Sequence, residues 1–580
     1  MPQVESVPQV ESVPQVETEA ETVGEAVVET GPAGDGGRDG VVLPAELTIP
    51  ALLALRRRLD GPVQALVNDD EAVTFTELDD ASRELAAGLV GAGVSKGSRV
   101  GLVMANGIEW ATVALAVMRV GAVLVPLSTL LRPPELLAQL RVAAVTELVV
   151  VPRLRGRDYL AELETVAPGL VAEARAGRRH AAVPSLRRIW RSDELPDATS
   201  ATVPSAVLLD VVGGLEHAVR PADDLVVLFT SGSRSTPKGV VHTHGNGLRA
   251  VAASLDCRRI GRGERLYIPM PFFWTGGFGG GLLSALVAGA TLLAEAVPEP
   301  ARTLAFLERE RVTLFRGWPD QAARLAAHPA FAATDLSALR PASLPAVLPA
   351  ASRPAPGARA NLFGMTETFG PYCGSRLDTD LPPDKHGSCG QPFAGVEVRI
   401  VDPDTGAAVA PGGEGEIRLR GPNVMRGIIG RSHGEVFDAD GFYRTADRGA
   451  LDADGYLWYR GRLDDMFKVS GATVYPMEVE AALRALPGVA DAYVTDLPAA
   501  DPGGAGGAGA RQVAAVVVSS AHDPDQLTEQ ARARLSSFKV PTRWLVLGDP
   551  HRVPRLASGK VDINALRLLL TEEGVAGPRR

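Results

Sequence analysis

Apolar and polar residues recur along the chain with two different periods, and their order predicts much of the architecture. Apolar positions at helical spacing occupy residues 78–90 and 109–120, and short, nearly continuous apolar runs occupy residues 99–104, 122–126, 147–151 and 225–229. Such runs alternating with helices are typical of buried parallel strands. The pattern therefore predicts an α/β domain of packed sheets covered by helices. Residues 153–222, with scattered charges and prolines, are predicted to be peripheral.

The pattern changes after Gly461. Residues 476–486 have helical periodicity, residues 492–497 and 512–519 are strand-like, and a Gly/Ala-rich loop separates the two strands. A unit of about 115 residues can form a domain of its own. We predict a large α/β domain over residues 43–463 and a small, mobile α+β lid domain over residues 464–580.

The first 42 residues have a different composition. Residues 2–7 and 8–13 repeat the sequence PQVESV, and acidic and glycine-rich sequence without aromatic residues follows. Such a segment cannot bury enough apolar surface to offset its ordering entropy. We expect a disordered acidic tail over residues 1–42.

Composition and charge exclude several classes of function. Of 580 residues, 46% are hydrophobic and 22% charged, which is typical of a protein with a large core. The net charge of −10 and the lack of a basic stripe argue against a nucleic-acid partner. Cys257, Cys373 and Cys389 lack metal-ligand spacing, and we find neither a membrane-spanning run nor a signal peptide. A cytoplasmic location is expected, and the sequence does not give the oligomeric state.

Residues 228–241 (LFTSGSRSTPKGVV) place a hydroxyl- and glycine-rich loop between two β-branched runs. Thr230, Ser231 and Ser233 offer hydroxyl donors, Gly232 lets backbone N–H groups approach an anion, and Lys238 adds a positive charge. The loop lacks the Gly-Lys-Ser/Thr of a Walker A motif. It predicts a phosphate-binding loop, with a plain polar hairpin as the alternative.

Four further motifs follow in order. They are residues 361–368 (NLFGMTET), 441–447 (GFYRTAD), 461–471 (GRLDDMFKVSG) and 554–561 (PRLASGKV). Together with the phosphate loop they resemble the motifs of the adenylate-forming superfamily of acyl- and aryl-CoA ligases, luciferases and peptide-synthetase adenylation domains. The resemblance is closest to fatty-acid and aryl-acid CoA ligases. It implies ATP-dependent activation of a carboxylic acid as acyl-AMP, followed by transfer to coenzyme A.

The resemblance also assigns roles within the large domain. The loop containing Thr230, Ser231, Gly232, Ser233 and Lys238 would hold the pyrophosphate portion of ATP. Thr366 would contact the α-phosphate and Glu367 would hold Mg²⁺, while Phe363 would lie near adenine, and Asp447 and Arg462 near the ribose.

In the small domain, the resemblance makes Asp464 the pivot of a rotating lid. Lys560 would bridge the carboxylate and the α-phosphate during adenylation, and Lys468 would lie on the face used in the second half-reaction. Lys560, Lys468, Thr366 and Glu367 are thus the predicted catalytic residues.

The predicted substrate pocket includes Phe273, Trp274, Gly276 and Gly277, within residues 269–281. Trp274 stands where amino-acid adenylation domains have an aspartate, so no carboxylate is available there for an α-ammonium group. We expect a fatty or aromatic acid.

Two segments depart from the family pattern. Ser233-Arg234-Ser235 replaces the usual Thr-Thr-Gly or Ser-Thr-Gly of the loop. A proline- and alanine-rich connection over residues 340–360 replaces a Gly-Gly-Ala-Pro element and its helix. One wall of the pocket is therefore predicted to be built differently.

Three alternatives stay open. The acyl group could pass to an acyl carrier protein instead of coenzyme A. The same ATP machinery could adenylate nitrite and diazotise an aryl amine. A non-catalytic nucleotide-binding protein is less favoured because Glu367, Asp447, Lys468 and Lys560 are all present.

Overall fold

The structure is a computed structural model. It describes residues 41–69, 71–199, 203–230, 237–403, 405–463, 467–469, 472–474, 476–499, 511–555 and 561–577. Most of the predicted tail, residues 231–236 of the phosphate loop, Asp464, the Gly/Ala-rich loop and residues 556–560 lie outside these ranges.

The elements of the first half of the large domain are α1 (Ile49–Asp60), β1 (Gln64–Val67), β2 (Ala72–Thr74), α2 (Phe75–Gly91), β3 (Arg99–Val103), α3 (Ile108–Arg119), β4 (Val123–Pro126), α4 (Pro133–Val142), β5 (Glu147–Val150), α5 (Tyr159–Val166), α6 (Leu170–Arg175), β6 (Arg188–Arg191), α7 (Ser205–Ala218), β7 (Asp224–Thr230), β8 (Lys238–Thr243) and α8 (His244–Arg258).

Its second half contains β9 (Arg265–Tyr267), α9 (Thr275–Gly277), α10 (Ser284–Ala288), β10 (Thr291–Leu293), α11 (Pro300–Arg309), β11 (Leu314–Phe315), α12 (Pro319–Ala326), β12 (Phe363–Met365), β13 (Gly370–Gly374), β14 (Gln391–Pro392), β15 (Glu397–Val401), β16 (Glu414–Arg420), β17 (Gly427–Ile428), α13 (His433–Val436), β18 (Tyr443–Leu451) and β19 (Leu457–Arg462). The small domain contains β20 (Phe467–Val469), β21 (Ala472–Val474), α14 (Pro476–Arg484), β22 (Val489–Pro498), β23 (Arg511–Ser519), α15 (Pro524–Arg532), β24 (Arg543–Leu547), α16 (Ile563–Glu573) and β25 (Val575–Ala576).

Two sheets form the centre of the large domain. The seven-stranded sheet has the order β17-β8-β7-β4-β3-β5-β6, and the five-stranded sheet has the order β11-β9-β10-β1-β2. The strands β3 to β7 run parallel, as the continuous apolar runs of β3, β4, β5 and β7 predict, whereas β8 and β17 are antiparallel. The sheets are therefore mixed.

The main core lies between these two sheets and their helices. Helix α3 is buried along most of its length, with Trp110 against Phe272 and Phe278. Helix α2 begins at a capping box in which the Thr74 hydroxyl accepts from the Glu77 N–H while the Glu77 carboxylate accepts from the Thr74 N–H.

Residues 153–222 are more central than their composition predicts. Strand β6 is the edge of the seven-stranded sheet, and Leu208 and Val212 of α7 are buried in the main core. The edge position explains the missing apolar run, because Arg188 and Arg191 of β6 can reach solvent.

Two antiparallel sheets complete the large domain, in the orders β15-β16-β18-β19 and β12-β13-β14. The small domain has a separate sheet, β22-β23-β24-β25, with apolar clusters on both faces, one including α14 and α15 and the other α16. A hairpin of β20 and β21 precedes it. No helix among the described residues is long and apolar enough to cross a membrane.

Candidate active site

A cavity of about 1380 Å³ lies where the two domains meet. The large domain contributes the facing ends of β7 and β8, the turn after β12 and the segment after β9, and the small domain contributes Lys468, Thr473, Glu478, Phe538 and Lys539. A cavity at a domain interface is a common location for a ligand site.

At one end of the cavity, β7 and β8 form a hairpin in which Thr230 pairs with Lys238. Both residues line the cavity. The buried Thr230 hydroxyl has no hydrogen-bond partner among the described residues. Ser231, Gly232 and Ser233 lie outside the described ranges, so the predicted loop is seen here through its two flanking residues.

Glu367 lies beside Lys238. It follows β12 in a single turn of 3-10 helix, Thr366–Thr368, and is 7% exposed. The Lys238 ammonium contacts the Glu367 carboxylate and donates to the Tyr443 hydroxyl at 3.1 Å, and that hydroxyl donates to Glu367 Oε1 at 3.0 Å. Burial pushes the pKa of Glu367 upward, but the charge and hydrogen bond of Lys238, with the Tyr443 hydroxyl, leave it below its usual value. An ionised carboxylate is thus held beside a cation at the cavity wall.

His242 fixes the turn that carries Thr366 and Glu367. Its Nε2 lies 2.7 Å from the Thr366 carbonyl oxygen, and its Nδ1 lies 3.1 Å from Asn246 Oδ1. Burial lowers the pKa of His242 to about 4, so the ring is neutral near pH 7 and donates from Nε2. This histidine belongs to none of the five sequence motifs.

Asp447 lies on β18, opposite Arg462 of β19. The two predicted ribose contacts are therefore neighbours on one sheet. Asp447 is buried and is not among the residues that line the cavity. Burial lowers the pKa of Lys468, and the negative charge of Asp447 partly offsets this effect. Ala446, where the family motif has glycine, has a φ of 57°, a conformation that explains the glycine.

Phe363 packs against two aromatic rings in this structure. Its ring packs against Tyr372, at a centroid distance of 5.6 Å, and Tyr459, at 4.7 Å. Its neighbours Leu362 and Gly364 line the cavity, whereas Phe363 does not. In this conformation Phe363, the first residue of β12, is partly buried and packs against an apolar cluster of the large domain.

The predicted acyl pocket forms another part of the cavity wall. Phe273, Trp274 and Gly276 line it, and the Trp274 ring meets Phe538 of the small domain edge-to-face at 6.3 Å. A Cβ on Gly276 would lie 2.4 Å from Met270 Sδ. Gly277 does not line the cavity, because it packs against the Pro271 carbonyl, 2.2 Å from where a Cβ would stand.

Residues 340–360 form a wall without a regular helix. The segment contains two single 3-10 turns, Pro345–Val347 and Ala350–Ser352. Its prolines Pro345, Pro354 and Pro356 line the cavity. The expectation of a differently built wall agrees with this arrangement.

The small domain docks through a buried cation. Lys539 contacts Glu478 of its own domain and Glu135 of α4 at 3.4 Å, and the Ser536 hydroxyl donates to Glu135 at 2.8 Å. Lys468 lies 5.6 Å above the Trp318 ring and lines the cavity. The structure thus presents the Lys468 face of the small domain to the site.

Lys560 and Asp464 lie outside the described residues. Arg555 and Val561, which flank the undescribed segment 556–560, are not among the residues lining the cavity. Arg555 instead donates to the Tyr493 hydroxyl at 3.1 Å within the small domain.

Comparison with known proteins decides the family. A family model described as AMP-binding enzyme matches residues 58–429, more than half of the chain. The chain belongs to the AMP-binding enzyme family. The membership in this family that the five motifs indicated is confirmed.

Relatives of this AMP-binding enzyme have sequence similarity over nearly their whole length. This chain is 33% identical over 534 residues to the 3-[(3aS,4S,7aS)-7a-methyl-1,5-dioxo-octahydro-1H-inden-4-yl]propanoyl:CoA ligase of Mycobacterium tuberculosis. The match covers 90% of this chain and 99% of the relative. The chain is 32% identical over 513 residues to a feruloyl-CoA synthase of an Amycolatopsis species, covering 87% of this chain and 96% of the relative.

Among solved structures, the amide bond synthetase McbA from Marinactinospora thermotolerans superposes with a TM-score of 0.71. The sequences are 26% identical, over 90% of this chain and 99% of that one. The predicted α/β fold with a large and a small domain, and the predicted AMP-forming acid–CoA ligase activity, are confirmed with these relatives.

Several residues of the site were missed by sequence reasoning. Tyr443 lies inside a recognised motif, which was a usable signal for its place beside Glu367. His242, Trp318 and Lys539 belong to no recognised motif, and their contacts come from segments far apart in the sequence.

Proposed function

We propose that this AMP-binding enzyme converts a carboxylic acid with a largely apolar body into its acyl-AMP and then into the coenzyme A thioester. The observation that carries the proposal is that one cavity contains both a polar cluster of Lys238, Glu367 and Tyr443 and an apolar wall that includes Phe273 and Trp274. The first suits the phosphates of ATP, and the second suits the body of an acid.

In the first half-reaction a carboxylate oxygen attacks the α-phosphorus of ATP, and the bond to the β-phosphate breaks to release pyrophosphate. Two anions must approach each other, so stabilisation of negative charge dominates the barrier. Lys238 and the loop from Thr230 to Lys238, including Ser231, Gly232 and Ser233, would hold the pyrophosphate portion. Thr366 would donate to the α-phosphate.

The residues present fit a magnesium ion brought in with ATP. Glu367 is ionised and lines the cavity, and carboxylate oxygens are preferred ligands of this cation. Among the described residues no group of three or more acidic, histidine or cysteine side chains could hold a metal without ATP. When bound, the ion would neutralise phosphate charge, Glu367 would hold it, and Lys238 would keep a second positive charge nearby.

For the nucleoside we retain the predicted roles of Asp447, Arg462 and Phe363. Asp447 and Arg462 are paired across β18 and β19, which supports a shared ribose contact. Phe363 would have to turn from Tyr372 and Tyr459 to stack on adenine.

The second half-reaction needs a different face of the small domain. Lys560 would bridge carboxylate and α-phosphate in the first step, and rotation about Asp464 would then bring Lys468 forward. The docked Lys539 and the position of Lys468 at the cavity support a conformation suited to thioester formation. We place the domain boundary at the same link, with residues 43–463 before it and 464–580 after it, and the tail at residues 1–42.

We propose a small-molecule acid with an aromatic or aliphatic body as the substrate, and coenzyme A as the acceptor. A carrier protein as acceptor, or nitrite as the activated group, is not favoured by the CoA-ligase relatives. All three cysteines are free and buried, which agrees with the proposed cytoplasmic location.

Mass detection of AMP esters tests the proposal. The protein is incubated with MgATP and a panel of fatty and aromatic acids, with and without coenzyme A, and in parallel with nitrite and an aryl amine. We expect acyl-AMP with at least one acid and its thioester when coenzyme A is added. AMP formed with nitrite alone, or ATP binding without pyrophosphate exchange for any acid, would refute it.

A further inference from the structure

Two arginine side chains reach the cavity wall outside the phosphate cluster. Arg258 is the last residue of α8 and is 5% exposed, and Arg316 directly follows β11 and keeps part of its surface accessible. Both line the cavity, together with Ile268, Gly280 and Ala342. Neither belongs to a family motif.

Both guanidinium groups bind only neutral oxygens among the described residues. Arg258 donates to the Ser284 hydroxyl at 2.7 Å, to the Ser254 hydroxyl at 3.5 Å and to the Gly280 carbonyl. Arg316 donates to the Ala342 carbonyl through Nη1 alone. Within the described part of the chain, no carboxylate forms an ion pair with either side chain, which is unusual for buried arginine.

Nearby groups do not supply the missing negative charge. Burial raises the pKa of the Cys257 thiol to about 12, so it stays neutral. The two acids whose charges act on Cys257 are paired with Arg259, Asp256 at 2.5 Å and Asp378 at 3.0 Å. Burial, together with the smaller effect of the Arg316 charge, lowers the pKa of Arg258 to about 9. Two like charges therefore share a poorly solvated region without a counterion.

The contacts of the arginine pair differ from those of the phosphate cluster. The charge that acts most strongly on Glu367 is that of Lys238, which lowers the pKa of this carboxyl. Arg258 is instead tied to Gly280 and Ser284, on the segment that continues from Trp274 and Gly276 of the acyl pocket. The pair thus belongs to the part of the cavity that receives the body of the acid.

We infer that the substrate of this enzyme carries a second carboxylate, distant from the reacting one, and that Arg258 and Arg316 bind it. The inference rests on the proposed function, because it specifies the acid that the same site activates. A planar guanidinium donates two parallel N–H groups to a carboxylate, and the free edge of Arg316 is available for this geometry. The apolar walls would hold the carbon skeleton between the two charged ends.

A neutral acceptor such as a ketone would satisfy hydrogen-bond donors but leave both charges uncompensated. A terminal methyl group would do neither. Burying a charge without a partner is unfavourable, so the order of preference should be carboxylate, then ketone, then methyl.

Matched acids provide the test. The wild-type enzyme is assayed by pyrophosphate release with aliphatic and aromatic dicarboxylic acids, each beside analogues whose far carboxylate is replaced by a methyl ketone or a methyl group. For at least one skeleton we expect kcat/KM for the diacid to exceed that of the methyl analogue by about 100-fold. A ketone or methyl analogue preferred on every skeleton would overturn the inference.

Variants connect the preference to the two side chains. Arg316→Gln should lower kcat/KM for the diacid by about 100-fold and leave the methyl analogue within about threefold, and Arg258→Gln should lower the ratio of the two kcat/KM values in the same direction. The control is Arg249→Gln, an exposed residue on the same helix, which should change neither. Equal losses for diacid and methyl analogue would mean that the arginines hold the reacting carboxylate, and would refute the inference.

Arg316→Gln is the decisive variant, because among the described residues the Arg316 side chain makes one hydrogen bond, to a backbone carbonyl. The substitution should therefore leave folding unaffected, and a thermal melt of the variant checks this. Arg258 ties three groups together, so for Arg258→Gln only the diacid-to-methyl ratio is compared, on protein that a thermal melt shows to be folded. Activation of monoacids without diacid preference would remove the inference and keep the proposed function. Failure to activate any acid would remove both.

Discussion

The buried ion cluster between the domains makes a specific prediction about Lys539. This residue is 6% exposed and contacts Glu478 of the small domain and Glu135 of the large domain. Burial alone would lower its pKa, but the two carboxylates raise it, so the lysine is charged. Lys539→Met removes that charge and leaves two carboxylates facing each other in a buried interface.

The contacts of Lys539 determine how much free energy of docking the substitution Lys539→Met removes. Removing one partner of a buried pair costs about 3–5 kcal/mol. Protonating one glutamate relieves the repulsion, and with an ordinary pKa near 4.3 this costs about 3.7 kcal/mol at pH 7, which limits the penalty. Burial has already raised the pKa of Glu478, so we expect about 3 kcal/mol, or a shift of roughly a hundredfold away from the docked orientation.

Separate assays of the two half-reactions measure this shift. Thioester formation from supplied acyl-AMP should slow by up to roughly a hundredfold, while pyrophosphate exchange stays unchanged or rises. Lys385→Met is the control, because Lys385 pairs with Asp452 and Asp454 within the large domain. Adding Glu135→Gln to Lys539→Met should restore part of the loss. Equal losses in both half-reactions, or no loss, would refute this account of docking.

Three further predictions concern other parts of the molecule. Tyr443→Phe removes a hydrogen bond to the buried Glu367 carboxylate that is worth about 1.5–3 kcal/mol, so kcat/KM for ATP should fall by roughly 10- to 100-fold. An unchanged kcat/KM in steady-state assays would contradict the role of this hydroxyl. Lys560→Ala should abolish acyl-AMP formation and leave thioester formation from supplied acyl-AMP largely intact, whereas parallel losses would contradict a two-conformation lid. Burial lowers the pKa of His242 to about 4 and that of His244 to about 3, so both bind fewer protons in the folded than in the unfolded protein. The free energy of unfolding should therefore be at its full value above about pH 6.5 and fall below that pH by about 1.4 kcal/mol per pH unit for each histidine. Denaturant midpoints that stay constant from pH 7 to pH 5 would contradict this.

Local patterns predicted the parts of the fold that depend on neighbours in the sequence. The apolar runs gave the parallel strands β3, β4 and β5, because a strand buried on both faces needs apolar residues at nearly every position. The motifs located Lys238 and Glu367, and the structure places these two side chains in contact.

The remaining features depend on contacts between distant segments. Lys539 and Glu135 are 404 residues apart, and nothing in either local sequence indicates the other. Arg316 follows a two-residue strand, so no periodicity marks it as a cavity residue. Phe363 matched its motif, but the nearby rings of Tyr372 and Tyr459 determine where it packs.

The central claim, that a carboxylate oxygen of the substrate attacks the α-phosphorus of ATP, has a direct isotopic test. An acid shown to support turnover is labelled with oxygen-18 in the reacting carboxylate and incubated with MgATP and coenzyme A. The account predicts AMP that carries one labelled oxygen, since the thiolate attacks the carbonyl carbon and the carboxylate oxygen leaves with the nucleotide. Unlabelled AMP, label in pyrophosphate, or ADP as the product would contradict it.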